Sequence, residues 1–279
     1  MRLRIVAKGR EGYFVPYNYQ YQLHASIYGL IARSSEKYAR FLHDTGFIDE
    51  NKNLKLFTFS KLMIPNRTPN KHGFSDVKQI ELMFSTPIEK SMEHMVLGIF
   101  SEQLLELNFR SNKAVYHIEH VESLPLISFS EQMKFVCLSP IAVSGKSEQF
   151  TGKHYLDYTK PEEREQFITQ LKKNLFRKYR MVNNKEYEGN DDFEFNFDLN
   201  YLIKKKGKIS KNIRFKQEQS TGKAIYIRAM EAPFTIKADP ELIKIGYECG
   251  FGENNSAGFG MVERTEGDVH KTLPEINRR

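Results

Sequence analysis

Over residues 2–8 the chain alternates, with Leu3, Ile5 and Ala7 on one side and Arg2, Arg4 and Lys8 on the other. That period of two predicts a short half-buried strand with its cationic side chains in water. The period then changes. In "YQLHASIYGLIARS", Leu23, Ile27, Leu30 and Ile31 recur at helical spacing, and "SSEKYARFLHDTG" predicts a second helix entered through Ser34 or Ser35 and stopped at Gly46. Strands are predicted at 55–60 and 77–86. A helix is predicted from about 88 to 107, with Ile88, Met92, Met95, Val96 and Ile99 on one side. "NKAVYHIEHVE" follows as a strand with Ala114, Tyr116 and Ile118 facing together. The order is β-α-β-β-α-β with an extra helix in the first crossover, the ferredoxin-like unit.

The second half repeats this rhythm more loosely. "MKFVCLSPIAVS" predicts a strand. "TKPEEREQFITQLKKNLFRKYRMV" predicts a helix that opens with a Thr159–Glu162 capping box and an early proline, its apolar face being Phe167, Ile168, Leu171, Leu175 and Tyr179. In "DFEFNFDLNYLI" aromatic and aliphatic residues alternate with Glu194, Asn196, Asp198 and Asn200, which predicts one long strand. It is expected to run through "KKKGKIS" into "KNIRFKQ" as a hairpin. "KAIYIRAM" predicts a strand, "DPELIKIGY" a short helix and "GFGMVE" a last strand. The expected fold is therefore α+β, two tandem ferredoxin-like (RRM-like, βαββαβ) domains at 1–125 and 126–265, followed by a polar tail at 266–279. The boundary region, 124–132, holds no Gly/Ser linker, so the two units are expected to pack together.

Composition narrows the classes. Of 279 residues, 40% are hydrophobic, including 21 Phe and 14 Tyr, enough for real cores and against a disordered chain. The formal charge of +7 points to a polyanionic partner or an acidic surface. Cys137 and Cys249 form no disulfide framework or metal pattern, which suits a reducing cytoplasm. No uninterrupted apolar run approaches the roughly 18–20 residues of a membrane span, and the start "MRLRIVAKGR" has no signal-peptide pattern.

Three features carry candidate chemistry. Between 204 and 216 lie seven cations, Lys204, Lys205, Lys206, Lys208, Lys211, Arg214 and Lys216, and no acid. Such a run is either a solvated edge or the electrostatic footprint of a phosphate backbone. The eight histidines are scattered and suggest no metal set, but His43 falls in the last turn of its helix, off the apolar stripe. A histidine so placed suits either a helix C-terminal cap or proton transfer, and position alone does not choose between them. The third feature is "GYECGFGENNSAGFGMVE", in which five glycines fall within fifteen residues. It opens no helix after a first strand and has no Gly-Lys-Ser/Thr, so it is neither a dinucleotide fingerprint nor a P-loop. Two roles remain open on spacing: close packing of a hairpin, or backbone N–H groups presented to an anion.

Several stretches together resemble one family: "VPYNYQYQLHASIYGLI", "FLHDTGF", "LKLFTFSKL", "LSPIAV" and above all the glycine stretch. They are similar to the CRISPR-associated endoribonucleases that cut precursor repeat RNA into guide RNAs. The resemblance spans nearly the whole chain and implies tandem ferredoxin-like domains. It implies a catalytic triad of Tyr28, His43 and Lys55, with His24 in reserve one turn before Tyr28. It further implies cleavage without a metal or other cofactor, through attack of the RNA 2′-hydroxyl, leaving a 2′,3′-cyclic phosphate and a 5′-hydroxyl. CRISPR repeat RNA is the implied partner. Lys204, Lys205, Lys206, Lys208, Lys211 and Arg214 would meet its phosphates, together with Gly250, Gly252, Asn254, Asn255, Ser256, Gly258 and Gly260 of the loop. Asn254 stands where relatives often carry a basic residue. Subunits of a CRISPR effector complex and a second copy of the chain are further partners that the resemblance leaves open. A non-catalytic repeat-RNA binding subunit of the same fold is the alternative, and a small-nucleotide binder using the glycine loop a third.

Overall fold

The first strand, β1 (Arg2–Pro16), runs well past Lys8 and forms the axis of a sheet. In this computed structural model residues 1–49, 52–110, 112–146, 153–217 and 224–265 are described, without the side chains of Lys216 and Gln217. The expected polar tail, 266–279, lies outside them. After β1 come α1 (Gln20–Ser34), α2 (Glu36–Asp44), a small hairpin of β2 (Phe47–Asp49) and β3 (Lys52–Leu54), then β4 (Thr58–Phe59) and β5 (Thr68–Pro69). β6 (Gly73–Ser85), α3 (Glu89–Glu102), β7 (Leu104–Asn108) and β8 (Lys113–Ser123) complete the half. The sheet order is β4-β6-β1-β8-β7, with β5 beside β6. Counting β1, β4, β6 and β8 as the four motif strands, this is the ferredoxin-like order, with β7 added as a hairpin partner of β8. Leu3, Ile5 and Ala7 enter its core as the alternation requires.

The second half holds β9 (Gln132–Cys137), β10 (Ser144–Gly145), β11 (His154–Tyr155), α4 (Pro161–Asn183), β12 (Glu194–Phe197) and α5 (Leu199–Lys204). It continues with β13 (Ser210–Gln217), β14 (Ala224–Met230), β15 (Phe234–Lys237), α6 (Pro240–Cys249), a 3-10 turn (Asn255–Ala257) and β16 (Val262–Arg264). Its sheet, β12-β15-β9-β16, repeats the same order. The fold is two tandem ferredoxin-like domains, with β13 and β14 inserted as a separate hairpin. No helix among the described residues is long and apolar enough to cross a membrane.

Local chemistry explains where the periodicity misled. The helix expected over 88–107 ends at Gln103, which is left-handed (φ 55°), and Leu104–Asn108 pairs with β8 instead. Of 55–60 only Thr58 and Phe59 are strand. The long strand in "DFEFNFDLNYLI" stops at Phe197 because Asp198 caps a new helix, its carboxylate accepting from the Tyr201 N–H at 2.7 Å. Phe195 and Phe197 are buried, whereas Leu199 and Ile203 of the same alternation are exposed. β13 accordingly pairs with β14, not with the aromatic strand. The Thr159 capping box is also absent: Lys160 is the N-cap, and the Thr159 hydroxyl donates to Asp157. Arg2 departs furthest from its expected place. Only 4% exposed, it donates to the carbonyls of Val262 and Tyr247 and stacks 3.6 Å over the Tyr247 ring, tying the first strand to the last elements of the second domain.

Candidate nucleic-acid interface and active site

One face of α1 carries Gln20, His24 and Tyr28, a turn apart, towards the glycine stretch of the other domain. Gln20 Nε2 donates to the carbonyls of Ala257 and Gly258, at 2.9 and 2.8 Å. His24 Nδ1 lies 2.8 Å from the Ser256 carbonyl; since a carbonyl only accepts, that nitrogen carries the proton. The His24 and Tyr28 rings are 4.7 Å apart, and Phe215 of β13 stands 5.5 Å from His24.

His43 arrives from the end of α2. That helix starts at Ser35, whose hydroxyl accepts from the Tyr38 N–H, and stops at Gly46 (φ 62°). Tyr38, Ala39 and Leu42 are buried, so His43 points outward. Its ring meets Tyr28 edge-on at 6.0 Å. Its Nδ1 is 2.7 Å from Asp44 Oδ1; facing a carboxylate, Nδ1 carries the proton and Nε2 is the basic nitrogen. Lys55, one residue beyond β3, donates to the His43 carbonyl at 2.9 Å. Burial lowers its pKa, partly opposed by Asp44. Burial also pushes the Tyr28 phenol up to about 12, partly opposed by a hydrogen bond with Ser256, so it is neutral at ordinary pH. Tyr28, His43 and Lys55 therefore share one mouth, with His24 and Ser256 at its rim.

Beside that mouth a cleft of about 570 Å³ opens between the domains. Lys52, Lys55 and Lys153 line it, with Glu253, Asn254, Asn255 and Ser256 of the glycine stretch opposite. Glu253 is 2.8 Å from Lys153 and 3.6 Å from Lys52. Although burial raises its pKa, these lysines hold it below the usual carboxylate range. The small β2–β3 hairpin leading to Lys55 is pinned from the second domain, because the buried Asp49 pairs with Arg177 and Arg180 of α4. Among the described residues, no three His, Cys, Asp or Glu side chains are grouped as a metal site.

The glycines sit where a side chain would not fit. Gly250, Gly252, Gly258 and Gly260 are all buried with φ between 74° and 87°. The Gly258 and Gly260 N–H groups are already bonded, to Asn255 and Pro140 carbonyls. A Cβ at Gly258 would lie 2.2 Å from Gln20 Nε2 and 2.5 Å from Phe59. A Cβ at Gly250, Gly252 or Gly260 would likewise lie within 2.5 Å of a neighbouring atom, so all four positions are closely packed, and 253–256 line the cleft. The basic run divides too. Lys204, Lys205, Lys206 and Lys208 cover the end of α5 and the turn after it, all exposed, whereas Lys211 and Arg214 lie on β13. Lys211 lines a second groove of about 600 Å³ with Lys61, Arg67, Tyr17 and Phe74.

Lys178 was missed. It is 2% exposed on α4, and its ammonium donates to the carbonyls of Gly250 and Gly252 and to Asn255 Oδ1, at 2.5, 2.7 and 2.7 Å. A signal existed: Asn174 and Lys178 fall at helical spacing on the apolar face that Leu171 and Leu175 define, and polar residues there need buried partners.

Comparison with known proteins agrees along the length of the chain. The family model for the C-terminal part of the CRISPR-associated protein Cas6 matches residues 119–264, and the model for the N-terminal part of Cas6 matches 14–118. The chain is 31% identical to CRISPR-associated endoribonuclease Cas6 1 of Methanocaldococcus jannaschii, over 95% of this chain and 93% of the relative. It is 32% identical to CRISPR-associated endoribonuclease Cas6 of Pyrococcus furiosus, over 99% and 93%. A solved structure described as a CRISPR-associated protein Cas6 superimposes with a TM-score of 0.70 at 29% identity, covering 95% of this chain and 99% of that one.

Proposed function

The chain belongs to the Cas6 family of CRISPR-associated proteins, and from that premise we propose that it is an endoribonuclease that cuts CRISPR repeat RNA into guide RNAs without a metal ion. The observation that carries this is the meeting of Tyr28, His43 and Lys55 at one mouth beside a lysine-lined cleft. RNA supplies its own nucleophile, so the protein has to align the 2′-hydroxyl, move two protons and stabilise charge on phosphorus. The 2′-oxygen forms a bond to phosphorus as the bond from phosphorus to the 5′-oxygen breaks. His43 Nε2 suits removal of the 2′-hydroxyl proton, since Asp44 fixes the other nitrogen as the donor. The neutral Tyr28 phenol suits donation to the departing 5′-oxygen, and the Lys55 ammonium suits the phosphoryl oxygens. The products are a 2′,3′-cyclic phosphate and a 5′-hydroxyl.

In the same proposal the strand passes the lysines of the cleft and residues 254–256, and reaches the groove of Lys61, Arg67 and Lys211. Tyr17 and Phe74 there offer rings to unstacked bases. The test is repeat RNA incubated in EDTA beside the same RNA with a 2′-deoxy sugar at the cut site. Cleavage of the first alone is expected. His43→Ala should lower cleavage by about 10²–10⁴-fold with binding retained, the usual contribution of one proton-transfer group. Unchanged cleavage by that variant sinks the His43 assignment. Binding without cleavage by the wild-type chain would instead make it a repeat-RNA binding subunit.

A further inference from the structure

Lys178 holds the turn against which the candidate catalytic tyrosine rests. Its three ammonium protons meet three oxygens, the carbonyls of Gly250 and Gly252 and the side chain of Asn255. Asn255 passes the restraint on, its Nδ2 donating to the carbonyls of Phe251 and Phe259, at 3.2 and 2.9 Å. The next residue, Ser256, holds His24 through its carbonyl and Tyr28 through its side chain. Hydrogen bonds to Asn255, the peptide link to Ser256 and the hydrogen bonds of Ser256 therefore connect the interior of the second domain to the mouth formed by the first.

We infer that Lys178 is a positioning residue for RNA cleavage: by holding Gly250, Gly252 and Asn255 it sets residues 254–256 against His24 and Tyr28. This rests on the endoribonuclease proposal above. The amine form could not do the same work, since two N–H groups and a lone pair cannot satisfy three oxygen acceptors. Burial pushes the Lys178 pKa down to about 8, with Cys249 and Glu253 the groups that oppose it. The Cys249 thiol is itself pushed up to about 12 by burial, and Lys52, Lys55 and Lys153 share the cleft. The ammonium is thus present below about pH 8 and lost as pH rises through that value. Between there and the ordinary lysine pKa the folded chain binds fewer protons than the unfolded one. This titration therefore does not lower global stability, and a loss of cleavage there has a local origin.

The experiment compares Lys178→Met with the wild-type chain in two measurements. The first is single-turnover cleavage of repeat RNA together with affinity for its uncleavable 2′-deoxy form. A misplaced site costs about 10²-fold in rate, so the variant should cleave that much more slowly while its Kd stays within about threefold. The wild-type rate should fall through about pH 8, and that step should be missing in the variant, leaving only the limb belonging to Lys55. The second measurement follows ¹⁵N-glycine amides from pH 7 to 9.5. Signals of Gly250 and Gly252 should move with a midpoint near 8 in the wild type and stay still in Lys178→Met. Cleavage at the wild-type rate by a folded variant overturns the inference. So does a wild-type glycine spectrum with no midpoint in that range, which also decides the matter should the variant not fold. A wild-type chain that binds but does not cut overturns the endoribonuclease proposal and with it the role in cleavage; the glycine titration then still reports whether Lys178 sets the loop.

Discussion

At the scale of single residues, Tyr28 illustrates how burial selects a chemical role. A phenol held at about 12 cannot act as a base near neutral pH, but it remains a hydrogen-bond donor. Tyr28→Phe keeps the ring against His24, His43 and Phe57 and removes only that donor. Cleavage should fall roughly 10²-fold, as when one preorganised donor is removed. Because the phenol is protonated throughout, the pH–rate profile of the variant between pH 5 and about 9 should run parallel to that of the wild type. A profile that changes shape would show that Tyr28 titrates in the reaction. Tyr28, His43 and Lys55 became candidates from sequence because the short stretches that carry them resemble the family's. Lys178 did not, because a lysine on an amphipathic helix ordinarily faces water, and only the carbonyls packed opposite reveal that this one does not.

At the scale of elements, the end of α5 and the hairpin β13–β14 carry the basic run. The exposed Lys204, Lys205 and Lys206 lie at one end, and Phe215 reaches α1 at the other. If the RNA backbone crosses the α5 end, replacing Lys204, Lys205 and Lys206 by Gln should weaken binding. It should also flatten the plot of log K against log salt by about 0.7 for each phosphate no longer neutralised. An unchanged slope would mean that these lysines only keep the turn soluble. Element types were largely readable, since the periods of two and 3.6 are local properties of the chain. Element ends were not. Asp198 turned an alternating pattern into a helix, and Gln103 stopped a helical one, each through a backbone event that the periodicity does not encode.

At the scale of the whole molecule, the site exists because two domains meet closely. Thr58 Oγ1 donates to the Phe259 carbonyl and Gln20 to those of Ala257 and Gly258, so the glycine stretch lies directly against the first domain. Gly258→Ala would put a methyl group into Gln20 and Phe59 at a left-handed backbone position. The expected cost is about 2–5 kcal/mol, combining a left-handed penalty with overpacking. Denaturation should register that loss, whereas a wild-type midpoint would show that the loop can withdraw from α1 without penalty. Most kinds of elements, their order in two ferredoxin-like units and the family could be read along the chain, because they depend on local periodicity and on contiguous motifs. Folding was needed to show that Arg2 and Lys178 are buried, that Gly258 packs against Gln20 and Phe59 of the other domain, and that its loop borders His24 and Tyr28. Each of those depends on which atoms come to lie opposite, and residues more than two hundred positions apart, such as Gln20 and Gly258, acquire such neighbours only when the two domains close on each other.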